Sequence, residues 1–93
     1  MSIKVFEKQP VEVLDFFFDF RNWLTSKQDT AASYTVTAQA GVVVASHNMT
    51  TPGVVQVFMS GGVHGQRYKV TCDLVTAGAR TKQAEFSLKL KDA

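Results

Sequence analysis

The amino-acid sequence predicts an all-β protein, a single β-sandwich of about seven antiparallel strands. Apolar and polar residues alternate with a period of two along most of the chain, which is typical of strands that bury one face. Glycine and proline separate the alternating segments at short intervals, as turns between strands require. The 93 residues suit one domain with one core. We therefore expect residues 1–93 to form a single domain.

Two strands are predicted at the start of the chain, near residues 2–8 and 11–20. The second includes part of the segment LDFFFDFRNWL, whose pattern admits two interpretations. A strand would bury an alternate set of residues: Leu14, Phe16, Phe18 and Phe20. A helix would have a polar stripe instead: Glu12, Asp15, Asp19 and Asn22. We favour the strand because aromatic residues suit pleated surfaces, and we expect RNWL to form a turn that packs Trp23 against the core.

Three strands are predicted in the middle of the chain, near residues 32–38, 42–48 and 54–60. The first alternates in SYTVTAQ and ends before Gly41. The other two are short β-branched segments separated by TPG, in which proline and glycine indicate a turn.

The last two strands, near residues 67–76 and 82–91, form the best-defined pair, and Gly78 lies in the hairpin turn between them. Their inward faces are predicted from the alternation: Tyr68, Val70, Cys72 and Leu74 in the first, and Ala84, Phe86, Leu88 and Leu90 in the second. Three lysines near this end of the chain are interpreted as a solvated strand face, because no aromatic residues are interleaved with them for stacking on nucleic acid: Lys82, Lys89 and Lys91. The formal net charge is +2, and no nucleic-acid role is predicted.

Seven short strands in about a hundred residues are typical of an immunoglobulin-like sandwich. The antibody type is excluded because Cys72 is the only cysteine, so no internal disulfide can form. Tyr68 follows the glycine-containing segment SGGVHG. It either forms a tyrosine corner or is a core tyrosine with a local hydrogen bond, and the sequence leaves both interpretations open.

The residues capable of metal binding or nucleophilic catalysis do not form a recognisable motif. His47, His64 and Cys72 lack the short spacing of metal ligands, and Cys72 falls on an inward strand face. Ser60, His64 and Asp73 could be assembled into a triad, but no sharp strand-to-helix turn presents the serine. We predict no metal, no cofactor and no enzymatic activity.

One further signal is weak. Asp15 and Asp19 on one strand would lie about 13 Å apart, too far for a glycosidase pair.

The segment MSIKVFEKQP lacks the apolar run of a secretory signal, and no segment has the roughly eighteen apolar residues of a membrane span. The expected site of synthesis is the cytosol, and no membrane contact is expected.

An exposed apolar surface is the main functional prediction. If alternate residues of the second and fifth strands face inward, the others face outward. Because these strands are neighbours in an immunoglobulin-like topology, the outward residues would form one patch of the kind that marks protein interfaces: Val11, Val13, Phe17, Val54 and Phe58. A register slip of one residue would instead bury half of them.

The order of three motifs resembles a family of small immunoglobulin-like phage proteins identified as fibre-tail adaptors. The motifs are LDFFFDFRNWL, FMSGGVHGQRYKVTCDLVTAGAR and AEFSLKL. Matches to the first family block are Leu14, Asp15, Asp19, Trp23 and Leu24, and Phe20 replaces its first tryptophan. Matches to the second are Ser60, Gly61, Gly62, Gly65, Tyr68, Val70, Thr71, Val75, Thr76 and Arg80, and Ala79 stands where a glycine is usual.

The resemblance implies a non-enzymatic virion component near the neck or tail, a tail-fibre or head-to-tail adaptor that docks to other virion proteins. It also implies multiple copies in a ring and assembly in the host cytoplasm. The alternative is a carbohydrate- or receptor-binding module that uses exposed Trp23, Tyr34 or His64. A small enzyme built around His47, His64 or Cys72 is a third hypothesis, disfavoured because so small a core leaves little room for a pocket.

Overall fold

The computed structural model describes residues 4–91, which form seven strands and one short helix. The elements in chain order are β1 (Lys4–Lys8), β2 (Leu14–Asp19), α1 (Arg21–Ser26), β3 (Ala31–Ala38), β4 (Val42–Thr51), β5 (Val54–Gly61), β6 (Arg67–Thr76) and β7 (Thr81–Leu90). All seven predicted strands are present, although residues 2 and 3 of the first prediction lie outside the described range. The all-β prediction is confirmed.

The strands form two sheets, one with the order β1-β7-β6-β3 and one with the order β2-β5-β4. The predicted adjacency of the second and fifth strands is therefore confirmed. The prediction that every strand is antiparallel is wrong for β1, which pairs with β7 in parallel. Alternation along a strand reveals which face is buried, but it contains no information about the direction of the neighbouring strand.

The two sheets share one hydrophobic core, in which four phenylalanines from both sheets contact one another. The Phe86 ring lies 5.2 Å from both Phe16 and Phe18, and Phe6 lies 4.9 Å from Phe16. Fully buried residues of β5, β6 and β7 complete the core: Val55, Val57, Met59, Val70, Cys72, Leu74, Leu88 and Leu90. The predicted inward faces of β6 and β7 are confirmed.

The segment after β2 forms helix α1, so the prediction that RNWL is a turn is wrong. Leu24 is its buried residue, whereas Trp23 is half-buried and packs against the core. The six-residue helix is too short for periodicity to reveal it. Lys82, predicted to be part of a solvated face, has its Nζ 5.6 Å from the centre of the Trp23 ring. The helix lies beside the turn between β4 and β5, since a Cβ atom on Gly53 would lie 2.9 Å from Leu24 Cδ1.

No helix in the described part of the chain is long and apolar enough to cross a membrane. The helix that the alternative interpretation of residues 11–20 required is also absent from residues 14–19, which form strand β2.

Candidate protein-interaction surface

The outer face of β2 and β5 brings together three of the five residues predicted to form an interface. The antiparallel register pairs Asp15 with Phe58, Phe17 with Gln56, and Asp19 with Val54. Phe17 therefore lies diagonally between Val54 and Phe58, within reach of an aromatic side chain. Phe17 is 52% exposed, and the other two are half-buried. We call these three residues the β2–β5 face.

Val11 and Val13 are exposed but do not lie on the β2–β5 face. Strand β2 begins at Leu14, so the prediction that these valines continue its alternation is wrong. They lie in the segment that connects β1 with β2, with exposed fractions of 88% and 57%. Pro10 at the start of this segment has no backbone N–H for a strand ladder, which favours a loop.

A buried lysine fixes this connecting segment against the end of β5. The Lys8 Nζ donates hydrogen bonds to the carbonyl oxygens of Gln9 at 2.8 Å, Pro10 at 3.3 Å and Gly61 at 2.8 Å. Burial lowers the pKa of Lys8, and the Glu12 carboxylate acts in the opposite direction. Lys8 lies two residues after Phe6 and therefore shares the inward face of β1. The sequence analysis did not predict its three carbonyl partners, because no local pattern connects a lysine on a strand with them.

At the opposite end of the molecule, a carboxylate joins the segment before β3 to the β6–β7 hairpin. Asp29 accepts hydrogen bonds from Arg80 Nη1 at 2.9 Å and from the backbone N–H of Gly78 at 3.0 Å. The Thr76 hydroxyl also donates a hydrogen bond to the Asp29 carboxylate. These hydrogen bonds lower the pKa of Asp29 to about 2; the bond from Thr76 is the largest cause, and those from the backbone and from Arg80 add to it. The sequence analysis missed Asp29, since no local motif connects it to residues so distant in the chain.

Two carboxylates flank Phe17 on the outer surface. Asp15 accepts a hydrogen bond from Gln56 Nε2 at 2.9 Å. Asp19 forms a bidentate ion pair with Arg21, whose Nη2 lies 2.7 Å from Oδ2. This hydrogen bonding lowers the pKa of Asp19 to about 2, so its carboxylate is charged at neutral pH. The surface around Phe17 is therefore apolar at its centre, with the Asp15 carboxylate at one edge and the Asp19–Arg21 ion pair at the other.

The residues considered for catalysis or metal binding are separated by the fold. Ser60 lies on the outer face of the three-stranded sheet, whereas Asp73 lies on the outer face of the four-stranded sheet, where it accepts a hydrogen bond from Gln83. Cys72 is fully buried, and desolvation raises the pKa of its thiol to about 12. Within residues 4–91, no three His, Cys, Asp or Glu side chains are arranged to hold a metal ion.

Tyr68 is a core tyrosine, and its hydroxyl also makes the local backbone hydrogen bond that a tyrosine corner requires. Its ring is buried and packs on Gly41, where a Cβ atom would lie only 2.5 Å from Cε1. Its hydroxyl oxygen accepts a hydrogen bond from the backbone N–H of Val63, five residues upstream, at 3.2 Å. This contact near the start of β6 is the geometry of a tyrosine corner.

The family described as Podophage GP4 fiber-tail adaptor protein gp77 matches residues 8–89. The chain belongs to this family. The suspected resemblance to the fibre-tail adaptors is thereby confirmed, and it supports a structural adaptor role. No curated protein matches the chain.

Several of the motif residues have structural roles. Gly61 presents its carbonyl oxygen to Lys8, and Gly62 lies where a Cβ atom would be 2.5 Å from Leu90 Cγ. The Thr76 hydroxyl oxygen accepts from the Arg80 N–H, and Arg80 contacts Asp29. These motif residues build turns and connect distant segments of the chain.

Proposed function

We propose that this fibre-tail adaptor is a non-enzymatic component of the podophage virion that acts by docking to other proteins of the neck, tail tube or fibres. Membership of the adaptor family supports this role. The observation that carries the docking proposal is the convergence of Phe17, Val54 and Phe58 on one outer surface.

The β2–β5 face has the chemistry of a protein interface. Its central Phe17 is half-exposed, and aromatic residues are enriched at the buried centres of interfaces. Complete burial of such a side chain contributes about 1.5–3 kcal/mol. The outer face of the four-stranded sheet is more polar, with Lys69 near Glu85 and Gln83 bonded to Asp73. The three-stranded sheet is therefore the preferred docking side.

The proposed fold type is an immunoglobulin-like sandwich. The second, fifth and fourth strands share one sheet, and the third, sixth and seventh share the other, as in the BED and CFG strands of that fold. The tyrosine-corner contact between Tyr68 and Val63 adds support. Strand β1 joins the seventh strand in place of the second.

The proposed assembly is a homo-oligomeric ring in the virion, built after synthesis in the host cytoplasm. A ring of identical copies repeats the contact made by the β2–β5 face many times, so a modest contribution from each contact adds up to a stable assembly. Val11 and Val13, although separate from the β2–β5 face, remain candidate contacts because they are exposed in the connecting segment that Lys8 contacts.

A ligand-binding module is the less favoured alternative. Trp23 lies in α1 and is half-buried under Lys82, whereas His64 lies in the β5–β6 loop at the opposite end of the sheets. Tyr34 lies on β3, where its hydroxyl is 2.9 Å from His47 Nδ1. The three residues do not converge on one site.

Light scattering over a concentration series tests the ring and the face together. The wild-type protein should form a defined oligomer, and Phe58→Lys or Phe17→Lys should give folded monomers because a charged side chain would be buried at the contact. Val75→Lys, an exposed position on the other sheet, is the matched control and should remain oligomeric. A wild-type monomer at every concentration contradicts the ring, and an oligomer unaffected by both face substitutions contradicts the face.

A further inference from the structure

Strand β2 has one hydrogen-bonded side and one free side. It lies at the edge of its sheet and pairs only with β5. The Phe20 N–H donates to the Gly53 carbonyl oxygen at 2.8 Å, which places even-numbered residues in the hydrogen-bonded positions facing β5. Backbone N–H and C=O groups of Asp15, Phe17 and Asp19 therefore point away from the sheet.

An apolar groove runs beside this free edge. It has a volume of about 220 Å³ and lies where β2 faces the edge of the other sheet. Its apolar lining includes Phe6, Phe18 and Phe86, and three charged residues also line it: Lys4, Asp19 and Glu85. A strand added to β2 would direct alternate side chains into this groove, since side chains alternate between the two faces of a sheet.

The free edge of β2 is more regular than the edges on the opposite side of the molecule. Both β3 and β4 contain register shifts, between Ala31 and Ser33 in β3 and at two places in β4. Such bulges prevent further strand pairing. The six β2 residues are paired with β5 without any shift, so their outward backbone groups keep the spacing of an ordinary ladder.

The charges at this edge select the kind of strand that fits. Asp15 and Asp19 lie on the outer face on either side of Phe17, and among the described residues Asp15 forms no ion pair. Side chains directly opposite each other on neighbouring strands interact favourably when their charges are opposite. Asp19 already has a counterion in Arg21, so a complementary strand has a basic residue opposite Asp15 and an apolar residue opposite Phe17.

We propose that the free edge of β2 binds an extended segment of a partner protein as an additional antiparallel strand, with apolar side chains in the groove and a basic side chain beside Asp15. Antiparallel pairing is the more stable arrangement per residue, and edge-strand addition is a recurring mode of peptide recognition. The proposal deepens the docking function above by naming the chemistry of a partner segment. It uses backbone groups of β2 that the β2–β5 face does not need.

Amide hydrogen exchange with a synthetic peptide tests this proposal. The probe is a capped peptide with the sequence Ser-Lys-Val-Phe-Val-Lys-Ser, whose central phenylalanine should lie opposite Phe17. At a concentration of about ten times its Kd, it should slow exchange of the Phe17 N–H about tenfold. Absence of this effect at saturating peptide concentrations, or a Phe17 N–H that is already protected without peptide, overturns the proposal.

Two N-methylated peptides provide matched controls. Methylation of the central phenylalanine nitrogen removes a donor that faces β2 and should abolish protection. Methylation of the following valine nitrogen, which points away from β2, should leave protection intact. Equal effects of the two methylations overturn strand addition. Replacement of the second peptide lysine, which lies opposite Asp15, by glutamate should weaken binding to the wild-type protein. The glutamate peptide should bind Asp15→Lys more tightly than it binds the wild-type protein, and the opposite preference overturns the charge assignment.

The same experiment on Phe58→Lys separates this proposal from the proposed ring. Phe58 lies on β5, away from the free edge, so its substitution should remove self-association while the peptide still protects the Phe17 N–H. If the peptide protects the Phe17 N–H while Phe58→Lys remains oligomeric, strand addition at β2 is supported and self-association through the β2–β5 face is contradicted. If Phe58→Lys is monomeric and the peptide does not protect the Phe17 N–H, self-association through the β2–β5 face is supported and strand addition at β2 is contradicted.

Discussion

The Asp29 carboxylate lies 2.9 Å from Nη1 of Arg80 and joins two turns that are 51 residues apart in the chain. Only 5% of the Asp29 side chain is exposed. Backbone N–H groups of Thr30 and Gly78 also donate to this carboxylate. One buried acidic side chain thus holds together the end of the molecule that contains α1 and the β6–β7 hairpin.

The stability contributed by Asp29 should depend on pH. Its pKa of about 2 lies below the ordinary value of 3.8, so the ionised carboxylate stabilises the fold above about pH 4 and this contribution is lost as the pH falls towards 2. Asp29→Asn should lower the urea midpoint at about pH 6, and the difference from wild type should shrink below about pH 4. Arg80→Gln should keep part of this pH dependence because Thr76 and two backbone donors remain. A difference that is constant from about pH 6 to pH 2 contradicts the assignment.

Replacement of Ala79 by glycine should stabilise the protein. Ala79 has φ of +64°, a left-handed conformation that an alanine side chain disfavours and glycine adopts freely. Relief of this strain exceeds the extra entropy of an unfolded glycine, so Ala79→Gly should raise the free energy of unfolding by about 0.5–1 kcal/mol. Ala77→Gly in the same turn is the control, and it should lower the free energy of unfolding because Ala77 has no positive φ. Urea denaturation measures both, and equal effects would refute the strain argument.

Removal of the Lys8 ammonium should destabilise the fold. Lys8→Met keeps an unbranched apolar chain but removes the ammonium donor from the carbonyl oxygens of Gln9, Pro10 and Gly61, of which Gln9 keeps the Glu12 N–H. A buried unsatisfied polar group costs about 1–3 kcal/mol, and we expect a loss of at least this size. Lys91→Met, exposed nearby, should change stability by less than about 0.5 kcal/mol. Similar losses in the two variants, measured by thermal or urea denaturation, would show that the three carbonyl contacts are unimportant.

The tyrosine-corner hydrogen bond can be tested by Tyr68→Phe. The substitution keeps the ring that packs on Gly41 and removes the acceptor for the Val63 N–H, so the loss should be about 0.5–1.5 kcal/mol. Tyr34→Phe is a suitable comparison because its hydroxyl bonds to an exposed histidine, His47, and its loss should be smaller. The hydrogen bond is unimportant to stability if Tyr68→Phe unfolds at the wild-type urea concentration.

Local alternation was sufficient to predict most strands and their buried faces. In β6 the residues Tyr68, Val70, Cys72 and Leu74 alternate with polar neighbours, and all four are buried as predicted. Alternation predicted the start of the second strand wrongly, because Val11 and Val13 continue its pattern but lie before β2, which begins at Leu14. Pro10 and the Lys8 hydrogen bond to it favour a loop in this segment instead.

The contacts that organise the two ends of the molecule could not be predicted from local patterns. Lys8 and Gly61 are 53 residues apart, and Asp29 and Arg80 are similarly distant. Each pair depends on how several strands come together, which no single segment specifies. The arginine was noticed through its motif, but its partner Asp29 has no motif of its own. The direction of β1 likewise depends on the neighbour that it reaches rather than on its five residues.

The parallel pairing of β1 with β7 has a mechanical consequence. Tension that pulls Lys4 and Leu90 apart acts along both strands in opposite directions, so it shears the ladder between them. Five residue pairs then bear the load together, whereas an antiparallel hairpin pulled from its open end separates one pair at a time. Resistance to force is governed by the rate of unfolding rather than by equilibrium stability. Resistance of this fold to such tension would therefore be increased most by contacts that slow the separation of these two strands.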